Sequence, residues 1–129
     1  DIDRVAPIEG VTVVRGDIRD ESVAERILEM APEGADVVLS DMSPNISGNY
    51  TYDHARSVEL CEHALVFAVK VLKPGGDFVA KMFSGDLGKS FTDSVRRRFE
   101  EHHTNHPRAS RESSSEVYVI GLGFRPPRR

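Results

Sequence analysis

Apolar positions in this chain change period several times, and the changes mark its elements. Val11 to Arg15 is a short β-branched run that predicts a strand, and Gly16 to Asp20 turns the chain. Between Glu21 and Met30, Val23, Ala24, Ile27, Leu28 and Met30 recur three and four apart, which predicts a helix stopped by Pro32 and Gly34. Asp36 to Ser40 carries Val37, Val38 and Leu39 in succession, the composition of a strand buried on both faces. Ile46 to Asp53 is polar and reads as a loop. His54 to Leu72 reads as a long helix with its stripe on Val58, Cys61, Leu65, Ala68, Val69 and Leu72.

Lys73 to Gly76, Lys-Pro-Gly-Gly, is a hard stop before a second apolar strand at Asp77 to Phe83. Ser84 to Lys89 reads as a loop, Ser90 to Glu101 as an amphipathic helix through Phe91, Val95 and Phe99, and His102 to His106 as a weak strand. A polar loop from Pro107 to Ser115 leads to a clear strand at Glu116 to Ile120. Phe124 to Arg129 is expected to be a loose Pro/Arg tail. Strands alternating with helices predict an α/β domain with a mostly parallel sheet, and the closeness of the last two strands predicts an antiparallel hairpin at one edge.

With 129 residues the chain makes one domain at most, with its unit running from residue 1 to 123. No apolar run approaches the ~20 residues that cross a bilayer, so no membrane partner is expected. The single cysteine, Cys61, rules out an internal disulfide framework and fits a reducing cytoplasm. Its place in the helix stripe makes it a packed thiol rather than a nucleophile. The net charge of -4 argues against a general polyanion binder, yet it is uneven. Residues 1–62 hold 14 acids and 5 bases, whereas residues 63–129 hold 7 acids and 12 bases, so a local basic face for a polyanion remains open.

Chemistry concentrates at strand ends. Asp41 closes the Val37–Leu39 strand and is followed by Met-Ser-Pro-Asn, the position beyond a strand's carboxyl end where open α/β sheets bind ligands. The plainer alternative is a cap or turn residue. Lys81 sits inside the Phe78–Phe83 run, where a lysine needs either a partner or a route to water for its ammonium. Glu116 opens the last strand. An Asp–Lys–Glu group can orient or deprotonate a hydroxyl. It does not suit a metal, and His102, His103 and His106 lack a second ligand pair, so no metal is expected. No glycine-rich dinucleotide loop, phosphate loop or nucleophile elbow occurs.

Taken together, Ser40 to Asn45, Leu72 to Phe83 and Ser113 to Tyr118 resemble, in order and spacing, the signatures of the RrmJ/FtsJ family of S-adenosylmethionine-dependent RNA ribose 2'-O-methyltransferases. The resemblance implies a Rossmann-like class I methyltransferase fold and covers nearly the whole chain. It matches Asp41, Lys81 and Glu116 to the last three members of a Lys–Asp–Lys–Glu tetrad, with Lys81 accepting the ribose proton. It implies that Asp1 binds the ribose of the cofactor S-adenosyl-L-methionine, Asp17 its adenine side and Asp41 its methionine end. The family's first lysine and its glycine-rich cofactor loop are expected upstream of Asp1, so the N-terminal part of the fold is missing and the segment alone is expected to be inactive.

The substrate expectation is RNA, most readily a uridine of large-subunit ribosomal RNA, with transfer RNA as runner-up. Base-amine methyltransferases place an aromatic platform after this strand, and Asp-Met-Ser-Pro-Asn has none, which favours a ribose oxygen. Arg108 and Arg111 are candidates for phosphate contacts, ahead of Arg96, Arg97 and Arg98 on their helix. Tyr50 and Tyr52 either stack on a nucleotide or fold back on their loop. A monomer is expected. The competing classes are a non-catalytic nucleotide- or RNA-binding module and a nicotinamide-dependent oxidoreductase, the latter lacking any supporting pattern.

Overall fold

The computed structural model describes residues 3, 5–106 and 116–127. Its elements are α1 (Glu21–Met30), β1 (Ala35–Ser40), α2 (Tyr50–Val71), β2 (Leu72–Phe83), α3 (Gly88–Arg98), β3 (Phe99–Asn105) and β4 (Glu116–Phe124). The four strands form one sheet in the order β1-β2-β4-β3. β1 and β2 pair parallel, while β4 is antiparallel to both β2 and β3. Three strands therefore share a direction, and β4 is inserted between two of them in reverse. The expected terminal hairpin is present, with β3 on the outside.

Several boundaries move, each for a local reason. α2 starts at Tyr50 rather than His54 because the Asn49 side chain accepts the Tyr52 N–H and caps the first turn. The Lys-Pro-Gly-Gly stop lies inside β2. Ala35 pairs with Leu72 and Val37 with Asp77, so residues 73–76 bulge out of the ladder without ending it. Val11 to Arg15 is not one of the strands of the sheet formed by the described residues, and Val11 and Val13 are exposed.

β1 is also not buried on both faces, since Val37 is 49% and Leu39 73% exposed. Among the described residues it pairs with β2 alone. At the other end, Phe124 is buried and Arg125 is tied down, its N–H donating to the Arg98 carbonyl at 2.8 Å and its guanidinium to that of Phe99 at 3.0 Å. These two residues of the expected loose tail belong to the folded unit.

The core lies on one face of the sheet. Phe78, Ala80 and Met82 of β2 alternate inward and meet Val117 and Val119 of β4. Val58, Cys61, Ala64, Leu65 and Ala68 of α2 and Phe91 and Val95 of α3 cover them. Phe78 stands at the centre, its ring 6.4 Å from that of Phe91 and 6.1 Å from that of Phe99. By the same alternation Lys81 and Phe83 stand on the opposite face, beside their cross-strand partners Tyr118 and Glu116. The helix face thus supplies stability, and the other face carries the polar chemistry. Replacing Phe78 with Ala should cost about 3–5 kcal/mol in chemical denaturation, the range for truncating a fully buried aromatic.

Candidate active site

Lys81 leaves β2 half-buried, its side chain 22% exposed, and its Nζ reaches two acids delivered by different strands. The Asp41 Oδ1 lies 2.6 Å away and the Glu116 Oε2 3.1 Å. Asp41 sits just past β1, where Met42 turns into the core and leaves the acid outside with 79% of its side chain exposed. Glu116 opens β4 opposite Phe83, two residues along from the partner of Lys81, which brings the glutamate onto the same face. The three residues singled out as the candidate catalytic group therefore meet.

Their electrostatics follow from the contacts. The hydrogen bond to Asp41, then that to Glu116, hold the Lys81 ammonium above its ordinary pKa of 10.5, and partial burial opposes them only in part. At neutral pH the group is a charged donor between two carboxylates. Such a group can steer a hydroxyl at once, and can take its proton only after giving up its own.

The first turns of α2 frame this trio. Phe83 N–H donates to the Ser57 Oγ at 2.9 Å, and the Cys61 thiol donates to the Lys81 carbonyl at 3.2 Å. His54 Nδ1–H donates to the Phe83 carbonyl at 2.9 Å, and its Nε2 accepts the Leu87 N–H at 3.1 Å. Buried Asp53 accepts from the Ser47 N–H at 3.1 Å and from its hydroxyl at 2.7 Å, which secures the loop after Asp41. Tyr50 folds back, its hydroxyl donating to the Ser84 carbonyl at 2.6 Å and its ring stacking near those of His54 and Phe83. Tyr52 remains exposed. Burial pushes the Cys61 thiol up to about 12, as expected of a packed cysteine.

Asp53, His54 and Ser57 are functional neighbours that the sequence reading passed over. A signal existed, because stepping the α2 stripe back by four from Val58 and Cys61 lands on His54 and Ser57. Polar residues on an apolar stripe need partners, and these find theirs on β2 and the loop after it.

The remaining candidates lie elsewhere. The Asp17 carboxylate is engaged by its neighbour, taking the Arg19 Nη2 at 2.5 Å, its Nε at 3.0 Å and its backbone N–H at 2.9 Å. The side-chain bond from Arg19 leads in lowering Asp17 to about 2. Asp1, Arg108 and Arg111 lie outside the described residues. Arg96, Arg97 and Arg98 form the last turn of α3, where cations suit the helix dipole. Among the described residues no group of three or more His, Cys, Asp or Glu is placed to hold a metal ion, and no helix is long and apolar enough to cross a membrane.

The FtsJ-like methyltransferase family model matches residues 1–124. The chain belongs to that family. Among curated relatives, the ribosomal RNA large subunit methyltransferase E of Methanosarcina mazei is 49% identical over 125 residues, and that of Methanosarcina acetivorans 50% over the same length. Each alignment takes in 96% of this chain but only 47% and 46% of the relative, so this FtsJ-like chain spans about half the length of the curated relatives it matches. A Plasmodium falciparum crystal structure, assigned as a ribosomal RNA methyltransferase, superposes with a TM-score of 0.84 at 24% identity, over 95% of this chain and 69% of that one. It shares the fold.

Two titrations check this electrostatic picture of the FtsJ-like site. Asp17, lowered in the folded state, lends stability that is present above its ordinary 3.8 and fades as the pH falls toward 2. Replacing Arg19 with Gln should raise Asp17 from about 2 toward 3.8 by carboxyl NMR, with the retained backbone N–H of residue 19 keeping it below that value. Lys81 is raised, so its contribution is complete below 10.5 and is lost as the pH climbs through the folded value. The Asp41→Asn change should bring the Lys81 Nζ titration back down toward 10.5.

Proposed function

We propose that the protein carrying this chain transfers a methyl group from S-adenosyl-L-methionine to a ribose 2'-hydroxyl of RNA, on a uridine of large-subunit ribosomal RNA, in the cytoplasm and as a monomer. The observation that carries the reading is the Lys81 ammonium held between Asp41 and Glu116 at the strand ends. The naming of the Methanosarcina relatives supports the ribosomal substrate.

The residues present fit the cofactor. S-adenosyl-L-methionine offers N–H donors at its ammonium and adenine amino group; Asp41 is a largely exposed carboxylate able to accept one, and Asp17 would share its carboxylate between the adenine side and Arg19. Asp41 would hold the methionine end, Asp17 the adenine side and Asp1 the ribose. When bound, the cofactor supplies an electrophilic methyl group on a positively charged sulfur.

The chain's own residues do the rest. Asp41 and Glu116 fix the direction of the Lys81 Nζ, so that a ribose hydroxyl brought to it meets a group already in place. Once Lys81 has released its proton to solvent, its amine receives the hydroxyl proton at Nζ, and both carboxylates stabilise the ammonium that results. The ammonium, in its charged state, orients the same hydroxyl. Arg108 and Arg111, preceding Glu116 in sequence, are assigned to RNA phosphates, which fix the register of the strand without reading its bases.

The test uses the full gene product with labelled cofactor and ribosomal RNA. Lys81→Ala should abolish transfer while leaving cofactor affinity within ~threefold, and Lys81→Arg should not rescue it, because a guanidinium does not deprotonate. With Lys81 raised, the wild-type rate should climb about tenfold per pH unit from neutral to mildly alkaline conditions. A pH-independent rate would leave Lys81 only the orienting role. Label recovered on a base after digestion to nucleosides would overturn the ribose assignment.

A further inference from the structure

The ladder between β1 and β2 ends at Ser40 opposite Ala80, yet β2 continues for three more residues. Beyond that point no strand of the described residues occupies the lane of β1, and side chains of α2 bond to β2 there. Cys61 serves the Lys81 carbonyl, Ser57 the Phe83 N–H and His54 the Phe83 carbonyl. These residues recur three and four apart, so they form one row on the helix face turned to β2. The helix thus continues the backbone pairing of the sheet through the residues that carry the lysine.

His54 does more than fill a slot in that row. It is 5% exposed, and its two nitrogens are committed in opposite senses. The Phe83 carbonyl can only accept, so the proton is on Nδ1, and the Leu87 N–H can only donate, so the Nε2 lone pair faces it. One ring therefore joins the end of the lysine strand to the loop that follows. The loop is shaped to the ring, because a Cβ at Gly85 would come within 2.5 Å of Nε2. Tyr50 stacks beside the imidazole and holds Ser84 from above. Phe83, the residue His54 grips, is the cross-strand partner of Glu116. Movement of Phe83 is passed directly to the acid that pairs with Lys81.

We propose that His54 is a positioning residue for the transfer reaction. It holds the Phe83 backbone and the 84–87 loop in the arrangement that keeps the Lys81 Nζ, Asp41 and Glu116 in register. The inference rests on the functional reading above. A histidine that merely completes the core would affect stability alone. One that sets the geometry of the reacting group affects turnover while cofactor binding is preserved.

The experiment compares His54→Phe, which keeps a ring of similar size but neither hydrogen bond, with His54→Asn, whose shorter amide keeps the bond to the Phe83 carbonyl. Both are measured in the full gene product. His54→Phe should lower kcat ~10–100-fold with the cofactor KM held within ~twofold, the scale expected for small displacements of a reacting group. His54→Asn should recover most of that loss, and the Leu87 amide should exchange faster in both variants than in the wild-type protein. A His54→Phe enzyme with kcat within ~twofold of wild type would overturn the proposal, as would cofactor and RNA KM values rising with no change in kcat. If His54→Phe does not fold, His54→Gln, whose longer amide keeps an acceptor for Leu87 but gives up the bond to the Phe83 carbonyl, carries the same comparison: reduced kcat at constant cofactor KM supports the role, and unchanged kcat refutes it. Absence of transfer by the unaltered protein would overturn the functional reading itself, and that result is seen before any substitution is made.

Discussion

A strand that outruns its neighbour leaves backbone amides and carbonyls facing an empty lane, and a protein interior does not leave such groups without partners. β2 is in this position over its last three residues, the stretch that carries Lys81. The solution is a helix whose inward face is apolar along most of its length and polar near its start. Ala64, Leu65 and Ala68 pack on the sheet, while His54, Ser57 and Cys61 bond to it. Everything at the site depends on that change of character along α2. The strand ends in a fixed place, Lys81 leaves it in a fixed direction, and the acids from β1 and β4 meet the ammonium there.

The charges at the site are arranged for orientation first. Two carboxylates around one ammonium favour its protonated form, so this amine is held firmly and gives up its proton reluctantly. Desolvation alone would have driven it the other way. Asp41 is largely exposed and Glu116 about one-third exposed, so solvent reaches the trio and offers a route for proton release. Rigidity comes from the helix side of the sheet and chemical access from the opposite side, a division set by the two-residue alternation of β2.

Much of this was legible in the residues. The alternation of elements, the terminal hairpin and the meeting of Asp41, Lys81 and Glu116 all follow from strand ends and short motifs. What escaped depends on context beyond a local window. Val37, Val38 and Leu39 have the composition of a strand buried on both faces, yet among the described residues they pair with β2 alone and Val37 and Leu39 are exposed. The Lys-Pro-Gly-Gly segment reads as a break, yet a parallel ladder absorbs it as a bulge. Asp53 was hidden because the helix was started too late, whereas His54 and Ser57 lay inside the expected helix and were passed over as polar breaks in its apolar stripe. Once Asn49 is recognised as its cap, Asp53 falls in the first turn of the helix.

The close fit between the His54 ring and Gly85 joins two positions that lie 31 residues apart in the chain. A side chain at position 85 has nowhere to go while the imidazole is there, so a larger residue becomes acceptable only when position 54 has first become small. Substitution in this family should therefore proceed in that order at these two sites. An engineer seeking to widen the wall beside the lysine would begin at the helix and leave the glycine for last.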